Sequence, residues 1–255
     1  MQTNTNIHNL AANETAEFTS AAPLRNLGIL DDLTGRVKNR PEHLPGIVTF
    51  SGPSGYGKST AAGYIAAKHQ AYYVEVRSMW TKKAFLEALL RQMGIEPKST
   101  VYQQTDQVSE ELACSQKPLI LDEFDNAVER NLVELVRDLY EQSKSPIILI
   151  GEERLPQKLQ KWERFHGRIL DWALAQPADL DDARALVSHY TPDLAVHDDL
   201  LACLVEQARG SVRRIVTNLE RIRTFARGEG LEEVTVKDWG KRPLHTGQAP
   251  APRRI

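Results

Sequence analysis

The 255-residue chain has only two cysteines, Cys114 and Cys203, far apart in sequence and each among apolar neighbours. That spacing excludes a disulfide framework and a cysteine metal site, and it points to a reducing cytoplasm. No apolar run approaches the roughly 18 residues that a membrane-crossing helix needs. The opening "MQTNTNIHNLAANETAEFTS" lacks a basic start followed by an apolar core, so no secretory leader is expected. Internal repeats are absent, as are helix-turn-helix and zinc-finger patterns. The formal net charge of -2 gives no global excess of positive charge. Any hold on nucleic acid must therefore rest on local clusters. What remains, 41% hydrophobic and 26% charged, is an ordinary globular composition. The length allows one large domain or a medium one with a small companion.

Residues 1–22 are rich in Asn, Thr and Ala without apolar periodicity and read as a tail. Residues 240–255 carry prolines and no pattern, and read as a second tail. Between them, short apolar runs at 47–50, 72–76, 118–121, 146–150 and 168–175 alternate with helical patterns. Near-continuous apolar strands separated by helices imply a parallel sheet covered on both faces. Val128, Leu132, Leu135, Val136 and Leu139 make one helical stripe, and Phe85, Leu89 and Met93 another. After Pro177 the strands stop. Three helices follow, over 178–190 behind a capping acid, 199–208 and 211–227. The expected fold is an α/β P-loop core at 23–176 and a small helical lid domain at 177–239, with the break near Gln176.

The chemistry is concentrated in "GPSGYGKST", residues 52–60, directly after the apolar run "GIVTFS". Gly52, Gly57, Lys58 and Ser59 fit G-x-x-x-x-G-K-[ST]. The glycines let backbone N–H groups converge on phosphate oxygens, Lys58 reaches the β- and γ-phosphates, and the Ser59 hydroxyl binds Mg²⁺. Pro53, Ser54, Gly55, Tyr56 and Thr60 complete the candidate ATP-binding loop. A second acidic element belongs at the end of another strand, and "PLILDEFD" supplies it. Asp122 can hold Mg²⁺, and Glu123 can polarise a water for in-line attack on the γ-phosphate. That glutamate favours hydrolysis over phosphate transfer to a bound acceptor.

On these motifs the chain resembles AAA+ ATPases from about Gly46 to Trp239. Among these it is most similar to the compact ATPases that assist DNA transposases, the phage Mu target activator and the IstB-type helpers. The secretion ATPase ExeA belongs to the same broader group. The resemblance implies a polar sensor at the end of the fourth strand, where this chain has Gly151 and then Glu152 in place of the commoner Asn, Ser or Thr. It also implies an arginine finger before the fifth strand. "KWERFHGRI" offers Arg168 first and Arg164 second, with solvated arginines at a helix end as the alternative. "ARGSVRR" resembles the sensor-2 segment, with Arg213 carrying positive charge to the nucleotide. A finger supplied by another subunit contributes a factor of about 10³–10⁵ to turnover, so ATP binding and self-assembly would be coupled.

Two features hint at what such a switch grips. Lys82 and Lys83 stand where a helix starts after Thr81, with Arg77 and Trp80 nearby. Cations there oppose the helix dipole by a few tenths to about 1 kcal/mol each. A docked DNA phosphate track would reverse that sign, and two solvated lysines are the alternative. The second feature is "RGSVRRIVTNLERIRTFAR", which leaves Arg214, Arg221, Arg223 and Arg227 outside its apolar stripe. The expectation is an ATPase that oligomerises on double-stranded DNA as a ring or helical filament, without sequence specificity, and stimulates a transposase. A replication initiator or helicase loader, and an ExeA-like secretion ATPase, are the alternatives. No membrane role is expected, and the compartment is the cytoplasm, the host's if a phage encodes the chain.

Overall fold

Five short strands rich in Ile, Leu and Val carry the architecture. In the computed structural model, which describes residues 21–247, they are Ile47–Ser51 (β1), Tyr72–Glu75 (β2), Leu119–Asp122 (β3), Ile147–Gly151 (β4) and Ile169–Leu174 (β5). They form one parallel sheet in the order β2-β3-β4-β1-β5. Every residue of β1, β3 and β4 is buried, which is why their sequences are almost unbroken apolar runs. β5 lies at an edge and is only half-buried. Ile47 stands opposite both Ile147 and Ile169, and Ser51 opposite Gly151 and Leu174. The carboxyl ends of the strands therefore emerge along one margin, where open α/β sheets bind their ligands.

Helices Arg25–Lys38 (α1), Lys58–His69 (α2), Lys82–Gln92 (α3), Val101–Ser115 (α4), Phe124–Glu129 (α5), Val133–Ser143 (α6), Leu155–Leu159 (α7) and Glu163–His166 (α8) accompany the sheet. The single stripe expected over 128–139 is in fact two helices. Asn131, at φ +54°, makes a left-handed turn between α5 and α6. Leu132 N–H nevertheless donates to Ala127 O at 2.9 Å, so Leu132 stays in the core and the apolar spacing survives the break. Helix α1 was not expected, because Gly28 and Gly35 weaken its pattern. Burial of Leu30, Leu33 and Val37 overrides that propensity. Phe124 and Phe165 stack at 6.3 Å in the same core.

The chain divides into two compact units. The first holds Asn26–Pro53 and Lys58–Ala175; the second holds Ala22–Arg25, Ser54–Gly57 and the described residues from Gln176 onward. In the second unit, Leu180–Tyr190 (α9), Asp198–Ala208 (α10), Val212–Glu229 (α11) and Val236–Trp239 (α12) surround Leu186, Leu204, Ile215, Leu219 and Ile222. Asp179 and Asp182 form a reciprocal capping box at the start of α9, and Ser211 caps α11. Strands do not stop at Pro177. Ala195–Val196 (β6) and Glu233–Val234 (β7) pair in parallel between the helices.

The expected tails fall mostly on residues 1–20 and 248–255, which lie outside the described residues. Residues 240–247 are described. There, Asn218 and the backbone of His245 exchange hydrogen bonds of 2.7 and 3.0 Å, and Leu244 packs on the helical core. Both cysteines are unbonded and exposed on α4 and α10, not buried among their apolar neighbours. Among the described residues no helix is long and apolar enough to cross a membrane.

Candidate functional site

The loop after β1 has the backbone that its glycines allow. Gly55 and Gly57 sit at φ +85° and +80°, a region that side chains avoid. A Cβ at Gly52 would come within 2.7 Å of Ala175 Cβ, so only glycine lets the loop leave the sheet here. The loop runs straight into α2, whose first residue is Lys58. A helix N-terminus that presents free N–H groups behind a tight glycine loop is an anion site. Lys58 Nζ donates to Gly52 O at 2.7 Å and Pro53 O at 3.0 Å, which holds the ammonium against the loop. Ser59 and Thr60 follow, exposed in the first turn.

Beside this loop, β3 ends in Asp122, which is 1% exposed. Asp122 Oδ1 accepts the Glu123 N–H at 2.8 Å, and Oδ2 accepts the Tyr73 hydroxyl at 3.0 Å. Burial and the Asp122 charge push the Tyr73 phenol up, so it remains a donor throughout the physiological range. Glu123 is exposed and sits in the left-handed region at φ 52°, ψ 42°. Partial burial, then repulsion from Asp122, raises its carboxyl above the usual range, and Lys58 pulls the other way. The Lys58 ammonium is pushed down by burial, opposed by Asp122, Glu123, Asp125 and Glu152. One lysine among four carboxylates is a donor set suited to a magnesium nucleotide. Mg²⁺ takes one or two protein carboxylates and completes its shell with phosphate oxygens and water.

The sensor position has a physical explanation. A Cβ on Gly151 would come within 2.4 Å of Asp125 Oδ2, so the expected Asn, Ser or Thr does not fit. Asp125 occupies that space, accepts the Glu152 N–H at 2.6 Å and pairs with Lys158 Nζ at 2.8 Å. Tyr73, Asp125 and Lys158 were not singled out from the sequence. The third acid of "DEFD", Asp125, was the only signal for any of them.

The two finger candidates differ. Arg168 Nε is tied to Glu141 of its own chain, whereas Arg164 on α8 is exposed and has no ion-pair partner among the described residues. Both precede β5, whose first residue lies opposite Ile47, the start of β1. They are thus at the amino margin of the sheet, and the phosphate loop is at the carboxyl margin. Within the second unit, the Arg213 N–H donates to Gly55 O at 3.2 Å, and its guanidinium lies 3.5 Å from Ser54 Oγ.

Thr81 caps α3 as expected, accepting from Ala84 N at 3.2 Å, and Arg77, Lys82 and Lys83 are exposed around it. Trp80 is a half-buried core anchor against Phe85, with ring centroids 6.5 Å apart. On α11 the expected free arginines are partly engaged. Arg223 and Arg227 both pair with Asp193, while Arg221 stays exposed.

Comparison with known proteins places this geometry. Residues 42–159 match the family model described as an AAA domain. No curated protein sequence matches the chain. Among solved structures, the Aeropyrum pernix ORC2 protein in its ADP form aligns with a TM-score of 0.65 at 16% identity, over 83% of this chain and 66% of that one. The Aeropyrum pernix ORC1 protein in complex with DNA gives 0.56 at 16%, over 84% and 62%. Domain III of the Thermotoga maritima replication initiation protein DnaA gives 0.55 at 16%, over 87% and 92%. The chain spans just under two thirds of the length of the two ORC proteins. The fold is an α/β AAA+ core with a five-stranded parallel sheet, followed by a helical region.

Proposed function

We propose that this AAA+ chain is an ATP hydrolase whose nucleotide state governs its assembly on duplex DNA, in the manner of a replication initiator or helicase loader. The observation that carries the reading is the division of one catalytic set between opposite margins of the sheet. Lys58, Asp122 and Glu123 stand at the carboxyl margin, and Arg164 and Arg168 at the amino margin. Strands of this length separate the two by about 15 Å at 3.3 Å per residue. An arginine finger so placed serves a second copy, not its own chain. In this reading Lys58, Ser59 and the loop glycines hold ATP, Ser59 and Asp122 hold Mg²⁺, and Glu123 orients the attacking water. Arg164 completes a neighbour's site, and Arg213 answers to nucleotide state. Arg77, Lys82 and Lys83 meet the DNA backbone, with affinity that falls steeply as salt rises.

Initiators among the similar structures favour this reading over the transposase-activator role implied by the sequence resemblance. None of the three structures described above is a transposition protein. Plasmid co-sedimentation tests the core of the proposal. With a non-hydrolysable ATP analogue the protein should pellet with DNA, and Lys58→Ala should neither bind nucleotide nor pellet. Glu123→Gln should pellet with ATP itself and fail to release. If Lys58→Ala coats plasmid as the wild type does, nucleotide does not control the grip. A replicative helicase retained by the ATP-bound protein supports the loader role, and a transposase retained instead overturns it.

A further inference from the structure

The segment that carries Asp122 and Glu123 also holds the basic loop between β2 and α3, and no motif accounts for that arrangement. Val76, the first residue past β2, is gripped twice. Its N–H donates to Asp122 O at 2.9 Å, and its carbonyl accepts from Asn126 Nδ2 at 2.8 Å. Farther along the loop, the Arg130 guanidinium donates to Ser78 O and lies 3.4 Å from Met79 Sδ. Asn126 and Arg130 are themselves joined, since Arg130 N–H donates to Asn126 O at 3.1 Å. Both belong to the short segment that begins at Glu123. The loop they hold carries Arg77 and leads into Lys82 and Lys83, and at its tip Met79 is 79% exposed. At its far end Trp80 packs on Phe85 and Thr81 caps α3. The loop is thus clamped to the core at one end and to the acidic segment at the other.

Glu123 gives this arrangement a hinge. Its backbone lies in the left-handed region at φ 52°, ψ 42°, which costs a residue with a side chain about 1–2 kcal/mol, and strained residues of this kind gather at ligand sites and switch regions. A six-residue helix is stiff, so a small change of backbone at Glu123 is carried to Asn126 and Arg130, and through them to the carbonyls of Val76 and Ser78. We infer that Asn126 and Arg130 are positioning residues that transmit the occupancy of the phosphate site to loop 76–81, the loop that meets DNA. The DNA half of this inference rests on the proposed function; the transmission to the loop does not. The contiguous hydrogen bonds supply the path for such coupling, and a second backbone arrangement at Glu123 is what the coupling requires of the nucleotide-bound protein.

Amide hydrogen exchange tests it without DNA. In the wild type, Mg²⁺ and a non-hydrolysable ATP analogue should change exchange across 76–81 by about fivefold or more, the low end of ordinary site-to-site coupling. In Asn126→Ala/Arg130→Ala that response should vanish, while affinity for the analogue stays within about twofold. Arg130→Lys, which keeps one donor and the charge, should restore part of it. If the double variant does not fold, Arg130→Ala alone carries the test, since Arg130 is exposed. A wild-type loop that ignores nucleotide, or a variant that keeps the full response, overturns the inference. Duplex binding with ATP and ADP is measured alongside. A responsive loop in a protein that binds no duplex removes the DNA reading and leaves the transmission intact.

Discussion

Glu123 combines two costs in the free protein, and a pair of substitutions separates them. Glu123→Gln removes the charge and keeps the left-handed backbone; Glu123→Gly removes both. A left-handed residue with a side chain costs about 1–2 kcal/mol. Glycine's extra freedom in the unfolded chain returns about 0.5–1 kcal/mol of that. Glu123→Gly should therefore be about 0.5–1 kcal/mol more stable than Glu123→Gln, or about 1–4 °C in Tm for a unit of this size. The charge part follows from the raised carboxyl. A group whose pKa is higher in the folded state favours folding when protonated, below its unfolded value, and loses that contribution as pH rises through its folded value. At neutral pH the ionised Glu123 therefore weighs against folding, and Glu123→Gln should melt above the wild type. As pH falls toward the carboxylate range, that advantage should disappear. Thermal melts of the three proteins at neutral and acidic pH, without nucleotide, decide both parts. The strain argument fails if Glu123→Gly melts below Glu123→Gln at neutral pH.

Two further expectations concern neighbouring groups. Tyr73→Phe removes a hydroxyl donor to buried Asp122, and a hydrogen bond to a charged group contributes about 1.5–3 kcal/mol. The variant should melt lower and need more Mg²⁺ for nucleotide binding, as a Mg²⁺ titration with a fluorescent ATP analogue would show. An unchanged Mg²⁺ requirement removes Tyr73 from the metal site. For the finger, Arg164→Ala mixed with Lys58→Ala should recover ATPase activity, because each chain supplies what the other lacks. Arg168→Ala should mainly lower Tm by releasing Glu141. Recovery with Arg168→Ala and not with Arg164→Ala would exchange the two roles.

The phosphate loop and the acidic strand end were legible because their chemistry lies in contiguous residues whose spacing is dictated by the ligand. The sheet was legible for a similar reason, since a strand buried on both faces must be apolar throughout. Features that depend on partners distant in sequence left no such trace. Tyr73 reaches Asp122 across 49 residues, and Arg130 reaches Ser78 across 52. Neither residue type nor local spacing announces those contacts. The break between α5 and α6 was hidden because the Asn131 turn keeps Leu132 on the core side. Helix α1 was hidden by glycines that its tertiary burial overrules. The Glu141 carboxylate that separates Arg168 from Arg164 lies 27 residues away on α6, and no local spacing announces it.

The strain and the repulsion at Glu123 have a joint consequence for the switch. A site that gathers Asp122, Glu123, Asp125 and Glu152 around one lysine is under tension until cations join it. A ligand present at 100 times its Kd stabilises the state it binds by about 2.7 kcal/mol. The backbone cost at Glu123, about 1–2 kcal/mol, is of the same order. In the proposed coupling, nucleotide shifts the backbone of this one residue only as far as it binds one arrangement more tightly than the other, and a preference of about 1–2 kcal/mol is sufficient. Were Glu123 relaxed and its surroundings neutral, the same binding energy would deepen a single state and move nothing. In the proposed coupling, the αL backbone, the crowded carboxylates and the hydrogen bonds from Asn126 and Arg130 make Glu123 the place where a change of ligand becomes a change of shape.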